Sequence, residues 1–484
     1  MLNKLSRYVA LIVLVLLVAP SELALGQSGE IPITTPSEDA RSLFLQGRDK
    51  FENIEFVAAA GFFDKAIEKD PNFALAHFYR AQSGGGTAVF QKHLNKAVEL
   101  AAKSSSGERL MILGVKANAD GDRATFKKNL DELVKTFPND ARVRNMMAIY
   151  YAGEGDTKTS IEWYRKATEA DLKFASAYNS LGYAYKTMGN YAEAEAAFKK
   201  YMELAPNSPN PPDSYAELLL KMGRFDESIR YYRMAYEKDP SFTGPLGGVG
   251  FNYMHKGEFA KARESFEEQH QKSTQVNAKL AALANIVYSY LHEWDIPGAL
   301  KAADRHRAFA EKENPPTAIF ANVVAGWINV ESGNPEGAKG HLDAARKLNE
   351  TVALSASAKA ANQVNLNILE CYILMRANDL AGAKMQAEKC RMMVEKRNIP
   401  FEKRLLNFTL GDLECELGNH AKALEHLDQG PIDNPGVMFS KARTYERMGD
   451  KAKAMEWYKT AANWNWTGLQ YALVRARAMK KTTM

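Results

Sequence analysis

The chain has 484 residues, 46% of them apolar, 25% charged and only 18 proline, which argues against long disordered or low-complexity segments. Its net charge of +5 is small and spread along the sequence, so the basic stripe with interleaved stacking residues that nucleic-acid binding needs is missing. Three cysteines, Cys371, Cys390 and Cys415, are too few for a disulfide-built fold, so the core must come from packing.

At the N-terminus, Lys4 and Arg7 precede an apolar run from Tyr8 to Val18, followed by Pro20 and the small-residue site Ala24-Leu25-Gly26 before Gln27. That is the layout of a secretory signal peptide over residues 1–26, and the run is shorter than the roughly 20 residues of an ordinary membrane span. The expectation is an exported chain, periplasmic or secreted, with no span left after cleavage. No cysteine follows the run, so a bacterial lipid anchor is not indicated. Residues 27–39 are polar with two prolines and read as a linker.

From Ala40 onward the apolar residues fall on helical faces in pairs. Leu43 and Gly47 mark a first helix, and Phe56, Ala59, Phe63 and Ala66 a second that stops near Pro71. Residues 74–106 repeat this less cleanly around Gly84-Gly85-Gly86. The pattern sharpens from Gly107 through blocks 141–174 and 175–208. In the latter, Tyr178, Leu181, Gly182 and Tyr185 share one face, Gly189 suits a left-handed helix stop, and Tyr191, Ala194, Phe198, Tyr201 and Leu204 form the next face before Pro206. The block 209–242 opens on a proline-rich helix start in which Ser214 and Glu217 have capping-box spacing and Asp213 is an alternative cap. After 243–276, weaker blocks follow at roughly 280–313, 319–352, 364–397, 404–434 and 435–468. Each has a turn and then an alanine where two helices would cross: Ala299, Ala338, Ala383, Ala423 and Ala454. Residues 469–484 read as a closing helix that covers the last apolar face.

The order Tyr178-x-x-Leu181-Gly182-x-x-Tyr185, then Gly189-x-Tyr191, Ala194, Phe198 and Pro206, stands at the spacing of a 34-residue pattern, and this block resembles a tetratricopeptide repeat. The resemblance covers nearly all of residues 40–468, about twelve units, best between 107 and 276. It implies an all-α, right-handed α-α superhelix: an N-terminal array over 40–276, a degenerate C-terminal array over 277–468 and a closing helix over 469–484. It also implies a non-enzymatic interaction or assembly scaffold that takes another protein, as an extended peptide or a helix, in a concave groove lined by the first helix of each pair. Carried over place by place, the groove positions are Asn145, Asn179, Tyr183, Asp213, Glu217, Phe251, Tyr288, Trp327 and Tyr372. Met254, Leu291, Phe320, Val323, Val330, Ile368 and Met375 stand beside them. Such a ridge of aromatics with aliphatic neighbours suits a peptide or partner helix. Asp213 and Glu217, one turn apart, could take a partner's lysine or arginine, or serve as a cap and solvated surface. The paired basic residues with which such arrays clamp a terminal carboxylate are not found at the matching places.

No catalytic, cofactor or metal site is expected. The nine histidines include no zinc-type helical pair with a partner glutamate, and no Gly-x-Ser-x-Gly elbow or phosphate loop occurs. Gly244, Gly247, Gly248 and Gly250 crowd one stretch, but they fall inside a first helix, where close packing explains them better than a phosphate cradle. Cys371 and Cys390 occupy small-residue places of one unit; they read as packed side chains, with a disulfide open if their Cα atoms lie within about 7 Å. Two other functions stay open: a helical array that binds or acts on cell-wall glycan, which needs carboxylates facing across a cleft, and a self-associating structural protein.

Overall fold

The computed structural model describes residues 29–431, 433–465 and 467–483; the expected signal segment lies outside them. Among the described residues the protein is 80% helical, with 25 helices and no strand. They form twelve consecutive pairs and one final helix, a helical-repeat superhelix of the expected class.

The helices fall into two compact units, divided between Pro211 and Pro212. Unit 1 holds five pairs: α1 Glu38–Glu52 with α2 Phe56–Lys69, α3 Ala74–Gln82 with α4 Gly86–Leu100, α5 Ser106–Ala119 with α6 Arg123–Thr136, α7 Ala141–Gly153 with α8 Thr157–Ala170, and α9 Ala175–Thr187 with α10 Tyr191–Leu204. Unit 2 starts within α11 Asn210–Lys221, paired with α12 Phe225–Lys238, and continues with α13 Gly244–His255 and α14 Phe259–Lys272. Its helices then lengthen: α15 Val276–Glu293 with α16 Ile296–Glu313, α17 Pro315–Glu331 with α18 Pro335–Thr351, and α19 Ala356–Arg376 with α20 Leu380–Arg397. The last pairs are α21 Pro400–Glu416 with α22 His420–Asp428 and α23 Pro435–Arg447 with α24 Lys451–Ala462, followed by the single helix α25 Leu469–Thr482.

Two local devices make the pairs. Between helices the chain turns through a left-handed residue, as at Gly189 with φ +77°, a conformation glycine adopts without Cβ strain. The second helix is then often started by an aspartate whose side chain accepts the N–H three residues on, as Asp122, Asp156, Asp295, Asp379 and Asp450 do. Within a pair, a small residue lets a ring sit against the backbone of the opposite helix. A Cβ on Gly182 would come 2.7 Å from the Phe198 ring, and one on Gly250 would collide with Phe266. The glycine-crowded stretch is therefore helical packing. Ala299, Ala338, Ala383 and Ala423 are fully buried and Ala454 nearly so, as expected of crossing residues.

Two local expectations are corrected, and the reading of the cysteines as packed side chains holds. Residues 31–35 do not hang free as a linker. The Ile31 N–H donates to Asp140 (2.9 Å), the Thr34 N–H to Glu108 (2.8 Å) and the Thr35 hydroxyl to Asp70 (2.6 Å), so three buried carboxylates hold them against unit 1. Helix α11 begins at Asn210, because Pro211 and Pro212 fit a first turn that has no use for their missing N–H groups. Ser214 is therefore buried inside the helix and not its cap. Cys371, Cys390 and Cys415 are free and buried, and the pairing of the first two is not made. The Cys390 thiol points at the Val364 carbonyl, 4.0 Å away, and burial pushes Cys371 up to about 12 and Cys390 up to about 11.

Unit 1 is also tied across its middle. Arg142 on α7 donates two hydrogen bonds to Glu52 at the end of α1 (2.6 and 3.0 Å), a pair whose side chains are 16% and 17% exposed. Burial raises the Glu52 carboxyl pKa, with Arg142 opposing. Beside it the Tyr201 hydroxyl on α10 donates to the Asn53 carbonyl (3.4 Å), and Ile54 packs against the cluster of Ala175, Tyr201 and Ala205.

Candidate functional site

In unit 2 the first helices of successive pairs touch one another: α13 meets α15, α17 meets α19, α19 meets α21 and α21 meets α23. They form one inner face, and α25 lies on it, in contact with α15, α17, α23 and α24. A helix that only caps an array buries one stripe and keeps a polar outer side. Helix α25 instead buries four consecutive residues, Tyr471, Ala472, Leu473 and Val474, at 2%, 0%, 2% and 5% exposure. At about 100° per residue those four point around the whole helix, so it is surrounded.

Polar contacts fix its register. The Tyr471 hydroxyl donates to the Ala462 carbonyl (3.1 Å) and accepts from Arg475 (3.0 Å), which also reaches the His255 carbonyl (3.3 Å). The Tyr471 ring is seated against His255 and His292, with centroids 5.7 and 5.1 Å apart. Burial, followed by the nearby His255 and Arg475, holds His292 well below the usual histidine range, so it sits there neutral. Arg477 pairs with Glu331 (2.6 Å) and stacks over Trp294 and Phe439. Ahead of the helix, Trp464 lies under the Lys221 ammonium, 3.5 Å from the ring centroid. Trp464, Tyr471 and Arg475 thus reach from the last pair of unit 2 back to its first two.

Beneath Arg477 lies a charged layer. Glu331 also takes Arg376 (3.2 Å), Glu416 takes Arg443 and Arg447, and the Tyr372 hydroxyl donates to Asp412 (2.7 Å). Burial raises the Asp412 pKa against the pull of Arg443. It likewise opposes the charge on Arg443, yet Asp412 and Glu416 together keep that guanidinium above its usual value. A cavity of about 210 Å³ sits here, between Tyr372, Arg376, Arg443 and Arg477. On the other side a larger cavity of about 490 Å³ is bounded by Ile319, Phe320, Val323 and Ile368, by Trp464 and by residues 467–471.

Among the positions named from the sequence, the structure brings together those on the long helices. Trp327 and Tyr372 meet edge to face at 4.7 Å and line both cavities, and Tyr288 belongs to the same buried cluster. These three rings are 9%, 8% and 8% exposed, so they are not open to a partner while α25 is in place. Burial pushes the Tyr288 hydroxyl up to about 12. Phe251 is half-buried against Phe266, and Asp213 and Glu217 are half-buried on α11. Asn145, Asn179 and Tyr183 belong to unit 1; the two amide oxygens are buried with no hydrogen-bond partner among the described residues, and Tyr183 meets Phe198 edge-on at 5.2 Å. Sequence reasoning missed Glu331, Asp412, Arg443, Tyr471 and Arg477. The run Tyr471-Ala-Leu-Val474 carried a signal, being apolar over too many successive residues for a one-faced cap.

Among the described residues no cluster of three or more histidine, cysteine, aspartate or glutamate side chains could hold a metal, and no helix is long and apolar enough to cross a membrane. A profile of the family described as "Tetratricopeptide repeat" matches residues 141–174, 175–208 and 435–465, three blocks in which a helix pair turns through a left-handed glycine. The chain contains tetratricopeptide repeats. This repeat protein is similar to "Protein CTR9 homolog" of Arabidopsis thaliana, 24% identical over 339 residues, covering 66% of this chain and 29% of that one. It is also similar to "Photosystem I assembly protein Ycf3" of Synechococcus sp. (strain CC9605), 34% identical over 83 residues, 16% of this chain and 48% of that one. The repeat protein thus spans less than a third of the first relative and about half of the second. Among solved structures, a tetratricopeptide repeat protein from Parabacteroides merdae ATCC 43184 matches with 17% identity and a TM-score of 0.36, over 57% of this chain and 95% of that one.

Proposed function

We propose that this repeat protein is a non-enzymatic interaction scaffold whose unit 2 receives a helical segment of another protein on its inner face. The observation that carries the proposal is that this face already holds a helix, α25, seated by an apolar quartet and an arginine–glutamate pair. Aromatic anchors in a desolvated groove beside a polar rim are what a helix-in-groove interface requires. Ycf3 is named an assembly protein, a role of the same kind. The proposal includes export, supported by Lys4, Arg7 and the apolar run before Gln27; N-terminal sequencing of the cell-purified protein beginning at or near Gln27 would bear this out, and retention of Met1 would refute it.

The test is an in-cell photocrosslink from Phe320, 46% exposed on α17 beside the larger cavity, with Met385, 74% exposed on α20, as control. A discrete product at Phe320, absent at Met385 and lost when Ile368→Asp is added, is the expected result. Equal products at both positions, or none, would sink the groove. A product with twice the mass of the chain would assign the face to self-association instead.

A further inference from the structure

We infer that the inner face of unit 2 is a site for a helix with an apolar run and a half-buried arginine one turn on, and that α25 is its tethered occupant, which a partner helix of the same chemistry displaces. The inference deepens the function proposed above and rests on it.

Four observations converge. First, α25 is joined to α24 only by residues 463–468, and its contacts reach elements far away in sequence, at Glu331 and at the His255 carbonyl. Second, the occupant meets the features that define a ligand site. The ring of Tyr471 sits against two histidines, Leu473 and Val474 are buried with the rings of unit 2's first helices, and one cation meets one carboxylate. Third, that carboxylate keeps a partner when the occupant leaves, because Glu331 also pairs with Arg376. Leaving therefore strands no bare buried charge on the groove side, which would otherwise cost several kcal/mol. Fourth, the fit around α25 is incomplete. The cavity of about 490 Å³ between residues 467–471 and the side chains of Ile319, Val323 and Ile368 leaves room for bulkier apolar side chains than the tethered helix supplies. In the same sense, burial draws Arg477 below the usual arginine value, Glu331 restores part of this, and Arg376 and Arg443 work against it. A partner with a fuller apolar face and an arginine placed for Glu331 would bind better than α25 does. It must do so, because tethering through a short linker presents α25 at an effective concentration of about millimolar.

The experiment uses the full chain and a fluorescein-labelled synthetic peptide of residues 463–483. Against the unaltered chain the peptide should bind weakly, since the site is occupied. In the full chain carrying Leu473→Ala and Val474→Ala, which loosens the tethered helix and leaves the groove intact, affinity should rise at least tenfold, as a larger share of molecules becomes competent. A peptide with Arg477→Glu should lose at least tenfold against that variant. If the variant keeps its helix content and fails to bind, or binds both peptides alike, the inference is overturned. Hydrogen exchange on the unaltered chain decides the matter if the variant unfolds. Faster exchange across residues 470–478 than across 319–330 and 437–446 sustains a displaceable helix, and equal exchange makes α25 permanent core. Peptide binding with no partner crosslinked at Phe320 would defeat only the scaffold function. A crosslinked partner with no peptide binding would defeat only this inference.

Discussion

Each unit joins helices far apart in its own sequence, and the two do it with opposite chemistry. In unit 1 the join is polar and fixed: a buried Glu52–Arg142 pair, a hydroxyl on the Asn53 carbonyl, and an N-terminal segment held by three carboxylates. In unit 2 it is a whole helix, seated by an apolar run and one arginine, on a six-residue linker. A buried ion pair with one partner removed leaves an uncompensated charge, so it behaves as a lock. An apolar helix on a tether can be exchanged for another apolar helix, so it behaves as an occupant. One repeat architecture thus supplies both a rigid half and a half able to change what it holds.

The largest expected effect is in unit 1. Arg142→Ala should cost about 2–3 kcal/mol in chemical denaturation, because the half-buried Glu52 is left with only the longer 3.8 Å pair to Arg48; a loss below about 1 kcal/mol would mean that the pair is no lock. Replacing both partners, Glu52→Leu with Arg142→Met, should recover most of it. Next comes acidification of unit 2. His306 is 1% exposed and its pKa is lowered by burial to about 4, so its neutral form stabilises the fold above about pH 6.5, and that stability is lost as pH falls towards 4. Between pH 7 and pH 5 the loss should be roughly 2 kcal/mol, with His292 adding in the same direction. Asp412, whose pKa is raised, works the other way and gains on protonation. Urea midpoints for His306→Gln should flatten this slope, and an unchanged slope would place the acid sensitivity elsewhere. A smaller effect, about 1 kcal/mol, is expected for Thr35→Val, which leaves Asp70 without its 2.6 Å hydrogen bond; hydrogen exchange should then rise at the Thr34 amide. Smallest is Lys481→Ala, at the exposed end of α25, where losing a surface pair with Glu446 should shift stability by about 0.5 kcal/mol or less.

The helix pairs were legible because each is local. Gly182, Ala194 and Phe198 lie within one pair, and their spacing alone places them at a crossing. The aromatics at 288, 327 and 372 were assigned to the right helices for the same reason. Their burial was not legible, since it comes from a cluster that draws on many helices, α25 among them, whose Arg475 meets the His255 carbonyl 220 residues away, a separation over which no periodicity survives. The Glu52–Arg142 pair, 90 residues apart, and the attachment of residues 31–35 were hidden alike. Non-local contacts of this kind leave single charged or apolar residues in the sequence, not patterns.

The left-handed turns carry one last consequence. At Gly121, Gly155, Gly189, Gly223 and Gly257 they recur every 34 residues, and after that, at Trp294, Gly333, Asn378, Gly418 and Gly449, they keep no common interval. An evenly spaced array tolerates an in-frame duplication, since the new pair meets the same neighbours as the old. Unit 2 has a length gauge against this. Helix α25 must touch α24 at one end of the count and α15 near the other. One extra pair between them would carry the His255 carbonyl and α15 out of reach of Arg475 and Tyr471. With its final fourteen-residue helix seated, this half therefore fits one number of repeats.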